Sequence, residues 1–388
     1  MKILLSSHGA SPFGAERVLL IMAEGLARRG HDVTLEIPHE GPALEAAATL
    51  EGVTVWLSRR PRLPRNAREA LRYVAGAAPA VGRLARGMRS GAPGSEADRS
   101  RAYDVVWVNS MFNPPAALAA RLARRPVVWH LHERNLRGPA ALPMAWLIRA
   151  CSAVSVPVSR FVAETFRRVP GGGGRQEVLF EQFPALPALP PPPADQQFTV
   201  GFVGQLEPRK RIDDLLRALS GVPGVRGLVV GDGKRRHHVE RALTRYGLGE
   251  KVELAGLQKD VVPFYQRMHC VVIPSRDEPC PLVAFEAMSI GRPVIASRHG
   301  GHPEVLGDAA LYFPLGDANE LAACILRLRD DPALRTELRQ RGLERVAGFG
   351  REHWLDEVER IAGEAARDGT RRDRRASPGS DTSPAGAS

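Results

Sequence analysis

The chain contains no D-x-D sequence, no CxxC pair and no long uninterrupted apolar run. Each absence excludes something. Without D-x-D, a required divalent cation is not expected. The four cysteines (Cys151, Cys270, Cys280, Cys324) have no metal-ligand spacing, and two sit in apolar runs. They read as structural thiols in a reducing compartment. The best apolar stretch, Ala140 to Val158, is broken by Arg149, so no membrane span is expected. Met1 to Ser7 is too short and too quickly polar for a signal peptide and reads as a first β-strand. The expected location is the cytoplasm, or the inner membrane face as a peripheral protein. Acidic residues are scarce in one segment. Arg59, Arg60, Arg62, Arg65, Arg68, Arg72, Arg83, Arg86, Arg89, Arg99 and Arg101 face only Glu69, Glu96 and Asp98. The segment reads either as a solvated arginine-rich face or as a surface drawn to anionic lipid. Its only stacking aromatic is Tyr73 and it matches no nucleic-acid-binding motif, so no nucleic-acid partner is expected.

What is present is a regular alternation. Short apolar runs at Ile3–Ser7, Val33–Ile37, Val53–Leu57, Val105–Asn109, Val127–Leu131 and Ala153–Pro157 are separated by stretches of helical periodicity. Strands that alternate with helices imply a parallel, doubly wound sheet. A proline-rich stretch at 184–197 reads as an extended linker. The pattern then restarts at Phe198–Val203 and continues through Leu228–Gly231, Val252–Ala255, Cys270–Pro274, Pro293–Ser297 and Ala310–Phe313. A chain of 388 residues can hold two such cores. The expected division is 1–183 and 198–347 as two α/β domains, with 348–365 as a helix returning to the first. Residues 366–388, charged and then rich in Ser, Pro and Gly, read as a disordered tail.

Two strand-to-helix junctions of the second domain carry chemistry-bearing residues. Gly201-Phe-Val-Gly204-Gln205 ends a strand, and Lys210 stands near the start of the next helix, a place suited to a diphosphate. Glu278 and Glu286 lie eight positions apart across another such junction, with Cys280, Pro281 and Leu282 between them. Carboxylates at the carboxyl edge of a parallel sheet can accept hydrogen bonds from sugar or ribose hydroxyls. His130 and His132 are equally visible at a strand end, and spacing does not choose between them. Glu16 and Glu304 read equally well as structural carboxylates near helix starts.

Together these motifs resemble the GT-B glycosyltransferases of family 4 from Met1 to about Ala365. Glu278, Glu286-Ala-Met288, Gly291 to Ala296 and Gly300-Gly-His-Pro-Glu304 match the E-x7-E region and its sequel. Gly231-Asp232-Gly233, Gly14-Ala-Glu16, Val127 to His132 and Val158 to Glu164 match further family segments. The resemblance implies two Rossmann-like doubly wound domains facing across a cleft, with the acceptor on the first and a nucleotide-diphosphate sugar on the second. It implies retention of configuration and no cofactor beyond the donor substrate. By resemblance Glu286 holds ribose hydroxyls, Glu278 the donor sugar, and Lys210 the diphosphate. His132 lies near the reacting groups, Gly14 lets backbone approach phosphate or acceptor, and Gly231, Asp232 and Gly233 border the base. The acceptor implied is a glycan or lipid-linked intermediate of surface polysaccharide. Four departures stand out: Gln205 replaces the usual Arg, Arg211 the usual Gly, Cys280-Pro281 the usual Phe-Gly, and Glu181-Gln-Phe-Pro the usual Asn-Gly before the linker. A nucleotide-sugar-binding protein without turnover and a nucleotide-sugar epimerase are the rival readings.

Overall fold

The computed structural model describes residues 1–10, 14–61, 67–91, 102–134, 141–167, 174–181, 186–193 and 195–376, with backbone alone at 67–75, 141, 167 and 370–376. The chain divides into two units. The first comprises Met1–Pro157, Phe166–Glu177 and Leu355 onward; the second comprises Val158–Thr165 and Val178–Trp354.

The first unit runs β1 (Lys2–Ser6), α1 (Ala15–Arg28), β2 (Asp32–Ile37), α2 (Pro42–Ala48), β3 (Val53–Leu57), α3 (Ala67–Ser90), β4 (Val105–Asn109), α4 (Pro114–Leu122), β5 (Val127–Leu131), α5 (Ala141–Cys151) and β6 (Val154–Pro157). Helix α6 (Arg160–Arg167) follows, then β7 (Arg175–Gln176). The sheet is wholly parallel, in the order β3-β2-β1-β4-β5-β6-β7. β1, β4, β5 and β6 are buried along their whole length, which is why they read as continuous apolar runs. The order reverses between β1 and β4.

The second unit runs β8 (Thr199–Val203), α7 (Ile212–Ser220), β9 (Arg226–Val230), α8 (Arg236–Arg245), β10 (Val252–Gly256), α9 (Val262–Gln266), β11 (Cys270–Ile273), α10 (Leu282–Ile290), β12 (Val294–Ser297), α11 (His302–Leu306), β13 (Ala310–Phe313), α12 (Ala318–Asp330) and α13 (Pro332–Ala347). Its parallel sheet is ordered β10-β9-β8-β11-β12-β13 and reverses between β8 and β11. Phe198, Val200 and Phe202 pack with Ile212, Leu216, Val229 and Val272 in its core. Of the linker, residues 186–193 form neither helix nor strand. They are fastened to the same unit, since Leu189 donates its N–H to Ile290 O (3.0 Å) and Arg292 reaches Pro190 O (2.8 Å).

Helix α14 (Arg351–Ala376) begins in the second unit and belongs to the first from Leu355 on. Arg29 donates to Asp356 (2.8 Å) and Glu359 (2.6 Å). Gly25 leaves room for Leu355, whose Cδ1 would lie 2.6 Å from a Cβ there. The tail expected to be disordered from 366 is helical to Ala376. The reason is local: Arg and Ala are strong helix formers, and no proline intervenes before Pro378. Residues 377–388 lie outside the described residues. Among the described residues, no helix is long and apolar enough to cross a membrane.

The arginine segment is also revised. Arg60 is buried, not part of a surface face: its Nε lies 3.1 Å from Glu36 Oε1 and its Nη2 donates to Ser7 O (2.5 Å). Ser6 donates to Glu36 Oε2 (2.5 Å), Ser58 donates to Oε1, and Arg60 also bonds Asn113. Arg59, Arg83, Arg86 and Arg89 are exposed, whereas Arg62, Arg65, Arg99 and Arg101 and the side chains of Arg68 and Arg72 lie outside the described residues. Removing Arg60 would strand a fully buried carboxylate. Arg60→Ala is therefore expected to cost about 3–5 kcal/mol in urea unfolding, against about 0.5 kcal/mol or less for Arg59→Ala. Equal losses in the two variants would refute a structural role for the buried pair.

Candidate functional site

In the second unit the reversal of strand order sets the loops after β8 and β11 on either side of one crevice, the place where open parallel sheets bind ligands. Lys210, from the first loop, donates through Nζ to Glu278 Oε2 of the second (2.6 Å). Arg209 donates to both Glu278 oxygens (3.2 Å each) and to Glu207 Oε2 (3.2 Å). The loops are also joined by backbone, Arg276 N–H to Arg209 O at 2.7 Å. Burial acts to raise the Glu278 carboxyl, but Lys210 and Arg209 outweigh it and bring the group down to about 2. Two cations thus meet one buried carboxylate, and Glu207, which shares Arg209, is the more exposed acid.

Arg211, where the family has Gly, adopts a left-handed conformation (φ 50°). A side chain there costs on the order of 1 kcal/mol. It is held by a paired contact from its guanidinium to buried Asp214, Nε at 2.6 Å and Nη2 at 2.9 Å. Arg211 is therefore committed to its own helix, and Arg209 is the arginine that turns to Glu278. Gln205 is exposed.

The loops after β8 and β9 are knitted by backbone. Leu206 N–H donates to Asp232 O (2.9 Å) and Gly204 N–H to Val230 O (2.9 Å). Gly231 is needed there: its φ is 137°, and a Cβ would fall 2.0 Å from Gly204 O. Asp232 accepts the N–H of Gly233 (2.7 Å) and lies 3.4 Å from Arg236.

Pro281 is the N-cap of α10, and Cys280 before it is buried, its thiol pushed well up by burial and so kept protonated. Ala284 N–H returns to Pro281 O (2.9 Å), while the N–H groups of Leu282 and Val283 have no partner among the described residues. A helix start with free N–H groups and a lysine on the adjoining loop suits an anion.

Glu286 stands one turn into α10, its Oε2 accepting from Tyr265 Oη (2.8 Å). Burial, then the Glu286 charge, keeps Tyr265 far above its usual range, so it remains a donor. Tyr265 carries no signal in the sequence. His302, part of the motif at 300–304 but given no role there, has its ring buried beside this site. Its Nδ1 donates to Ser297 O (3.0 Å), and burial lowers it to about 4. Gly301 N–H donates to Glu278 O (2.8 Å), and the lack of side chains at Gly300 and Gly301 allows that approach. Glu304 caps α6, accepting the N–H groups of Arg160 and Phe161 (2.7 Å each).

Gly14 and His132 belong to the first unit, and the other expected positions to the second. Gly14 is the N-cap of α1, with φ 60°. His132 Nε2 lies 2.7 Å from Asn109 Oδ1, and Asn109 Nδ2 donates to Ala15 O (3.2 Å). That second bond fixes the Asn109 amide, so His132 Nε2 carries the proton. His130 is wholly buried, makes no hydrogen bond from either ring nitrogen, and is held well below its usual range by burial and then by His132. It is a core residue. Among the described residues, no group of three or more His, Cys, Asp or Glu is arranged to hold a metal ion.

Residues 13–176 match the family described as Glycosyltransferase Family 4, and residues 197–331 match Glycosyl transferases group 1. The lipopolysaccharide core biosynthesis glycosyltransferase LpsD of Rhizobium meliloti is 38% identical over 175 residues, 43% of this chain and 51% of that protein. D-inositol 3-phosphate glycosyltransferase 1 of Catenulispora acidiphila is 29% identical over 305 residues, 67% of this chain and 71% of that protein. The chain spans about half the length of the first curated relatives it matches. The crystal structure of Anabaena HepE in complex with UDP and glucose has the same fold, with a TM-score of 0.75 at 22% identity over 94% of this chain and 99% of that one.

A carboxyl lowered from 4.5 to about 2 contributes stability that is complete above 4.5 and is lost as the pH falls toward 2. For Glu278 the contribution is roughly 3 kcal/mol. The stability difference between the wild type and Glu278→Gln, measured by urea unfolding across that window, is expected to shrink as the pH falls. A difference independent of pH would show that Lys210 and Arg209 do not stabilise the ionised form.

Proposed function

We propose, from the premise that this chain belongs to the GT-B glycosyltransferases of family 4, that it moves a sugar from a nucleotide-diphosphate sugar to a glycan or lipid-linked acceptor with retention of configuration. The observation that carries this reading is the meeting of Lys210, Arg209 and Glu278 where the second sheet reverses, beside the start of α10. On this reading Glu286 accepts the ribose hydroxyls of the donor, held in one orientation by Tyr265. Glu278 accepts hydroxyls of the donor sugar. Lys210 and the free N–H groups of α10 take the diphosphate and offset the charge that grows on it as it leaves. With those groups offsetting that charge, a divalent ion is not required.

The acceptor hydroxyl is assigned to the first unit, near His132. Its oxygen forms the new bond to the anomeric carbon as the bond to the leaving phosphate breaks, and a leaving-phosphate oxygen takes its proton. No side chain serves as a covalent nucleophile in this scheme. The name of LpsD supports a surface-polysaccharide intermediate as acceptor.

Nucleoside diphosphate release from UDP-, GDP- and ADP-sugars, without added metal and with or without mixed membrane lipid extract, tests the reading. One donor is expected to be used, release is expected to rise with extract, and it should vanish in Glu286→Ala and Lys210→Ala. Tyr265→Phe should weaken nucleotide binding about tenfold or more, the worth of one hydrogen bond to a charged group. Nucleotide bound with no release would favour a binding protein without turnover, and conversion of the donor sugar with no acceptor would favour an epimerase.

Peripheral association with the inner membrane face is proposed on the exposed Arg59, Arg83, Arg86 and Arg89. Sedimentation with anionic vesicles is expected to exceed that with neutral ones and to fall as salt rises. Equal recovery with both would remove the membrane from the proposal.

A further inference from the structure

The first sheet has a switch point of its own, between β1 and β4, and a histidine stands there with no role so far. His8 lies just past the carboxyl end of β1, and its Nδ1 is 2.6 Å from Oε1 of Glu16, in the first turn of α1. Glu16 is buried, and Gly9 makes way for it: a Cβ on Gly9 would lie 3.1 Å from that same oxygen. The contact is off the line of an aligned hydrogen bond, as pairs of this kind often are before a ligand arrives. A carboxylate only accepts, so the nitrogen it faces carries the proton and Nε2 of the neutral ring is left as an acceptor. Nδ1 is buried, the His8 side chain is 23% exposed, and Nε2 makes no hydrogen bond among the described residues. The open edge of the ring is therefore its accepting edge.

The same helix turn serves the other histidine. Ala15 O holds Asn109, which holds His132. Adjacent residues of α1, Ala15 and Glu16, thus fix two imidazoles at the carboxyl edge of one sheet. One shows a bound proton inward and an acceptor outward; the other is held through Nε2–H.

We infer that His8, oriented by Glu16, is a binding residue for the acceptor, its Nε2 accepting a hydrogen bond from an acceptor hydroxyl. No bond is made or broken at His8; it positions. This inference rests on the transferase reading and on the assignment of the acceptor to the first unit.

The test uses the full chain, the donor of the UDP-, GDP- and ADP-sugar panel that the wild type uses, labelled in its sugar, and mixed membrane lipid extract as acceptor probe. His8→Ala is expected to raise the apparent KM for extract about three- to tenfold, with donor KM and acceptor-free diphosphate release unchanged. His8→Gln, whose side-chain oxygen can accept, should recover part of the loss. Glu16→Gln should shift the same parameter in the same direction. A His8→Ala enzyme with wild-type dependence on extract, or with donor KM raised equally, would overturn the inference. The transferase reading has its own control in the same assay. Label moved by the wild type and not by Glu286→Ala upholds it whatever His8 does; no label moved by the wild type from any donor overturns it and the role of His8 together.

Discussion

A parallel sheet wound outward from its middle must leave a gap where the two windings begin. The loops that start them depart to opposite faces and cannot cover the strand ends between them. In this chain that constraint operates twice, between β8 and β11 and between β1 and β4. The residues with unusual chemistry gather at both places. Lys210 and Glu278 come from the two loops flanking one gap, and His8, just past β1, and Asn109, at the end of β4, flank the other. Sequence distance is large in each case, yet the topology brings them together without dedicated structure.

What holds the second gap in shape is electrostatic. A buried carboxylate alone would be protonated or would open the site to water. Glu278 remains ionised because Lys210 and Arg209 both reach it. The same arrangement ties Lys210 to the loop that leads into α10. On the proposed reading, structural support and anion binding are one feature: the lysine that keeps the glutamate charged is also the one assigned to the donor phosphate. The Glu36–Arg60 pair in the first unit has no such second use in sight, since its members are turned to Ser6, Ser7, Ser58 and Asn113.

The fold was legible because strands covered on both faces are continuous apolar runs, and β3, β4, β5 and β13 fall where those runs were read. β7 was not legible: its two residues, Arg175 and Gln176, are exposed and carry no apolar signal. The end of α14 is not legible either: its charge resembles that of a disordered tail, while its Arg and Ala residues favour helix. Within the site, Glu278, Glu286 and Lys210 were visible through the motifs around them. Tyr265 and Asn109 were not, because each acts on a partner through the fold. Tyr265 meets Glu286 across 21 positions and Asn109 meets His132 across 23, separations with no helical or strand period. The burial of Arg60 was hidden for the same reason, its partner Glu36 lying 24 positions earlier.

The departures from the family pattern are coupled rather than scattered. Gln205, where the family has Arg, leaves the loop after β8 one cation short, and Arg209 and Arg211 are the two candidates to replace it. Backbone geometry decides between them. Arg211 occupies a left-handed position that Gly would fill without strain, and it stays there because its guanidinium is pinned to Asp214, which also takes Arg217. A side chain used to hold its own backbone in a strained conformation is not available to a ligand. Arg209, one residue before Lys210 in a single tight turn, has no such duty and points to Glu278. The positive charge of the site has therefore moved along the loop instead of disappearing. Pro281 follows the same logic: as N-cap of α10 it surrenders an N–H that would have been available to a ligand, but the N–H groups of Leu282 and Val283 just behind it remain. On the proposed reading, the junction keeps its donors for an anion in different atoms: the Arg209 side chain and the N–H groups of Leu282 and Val283.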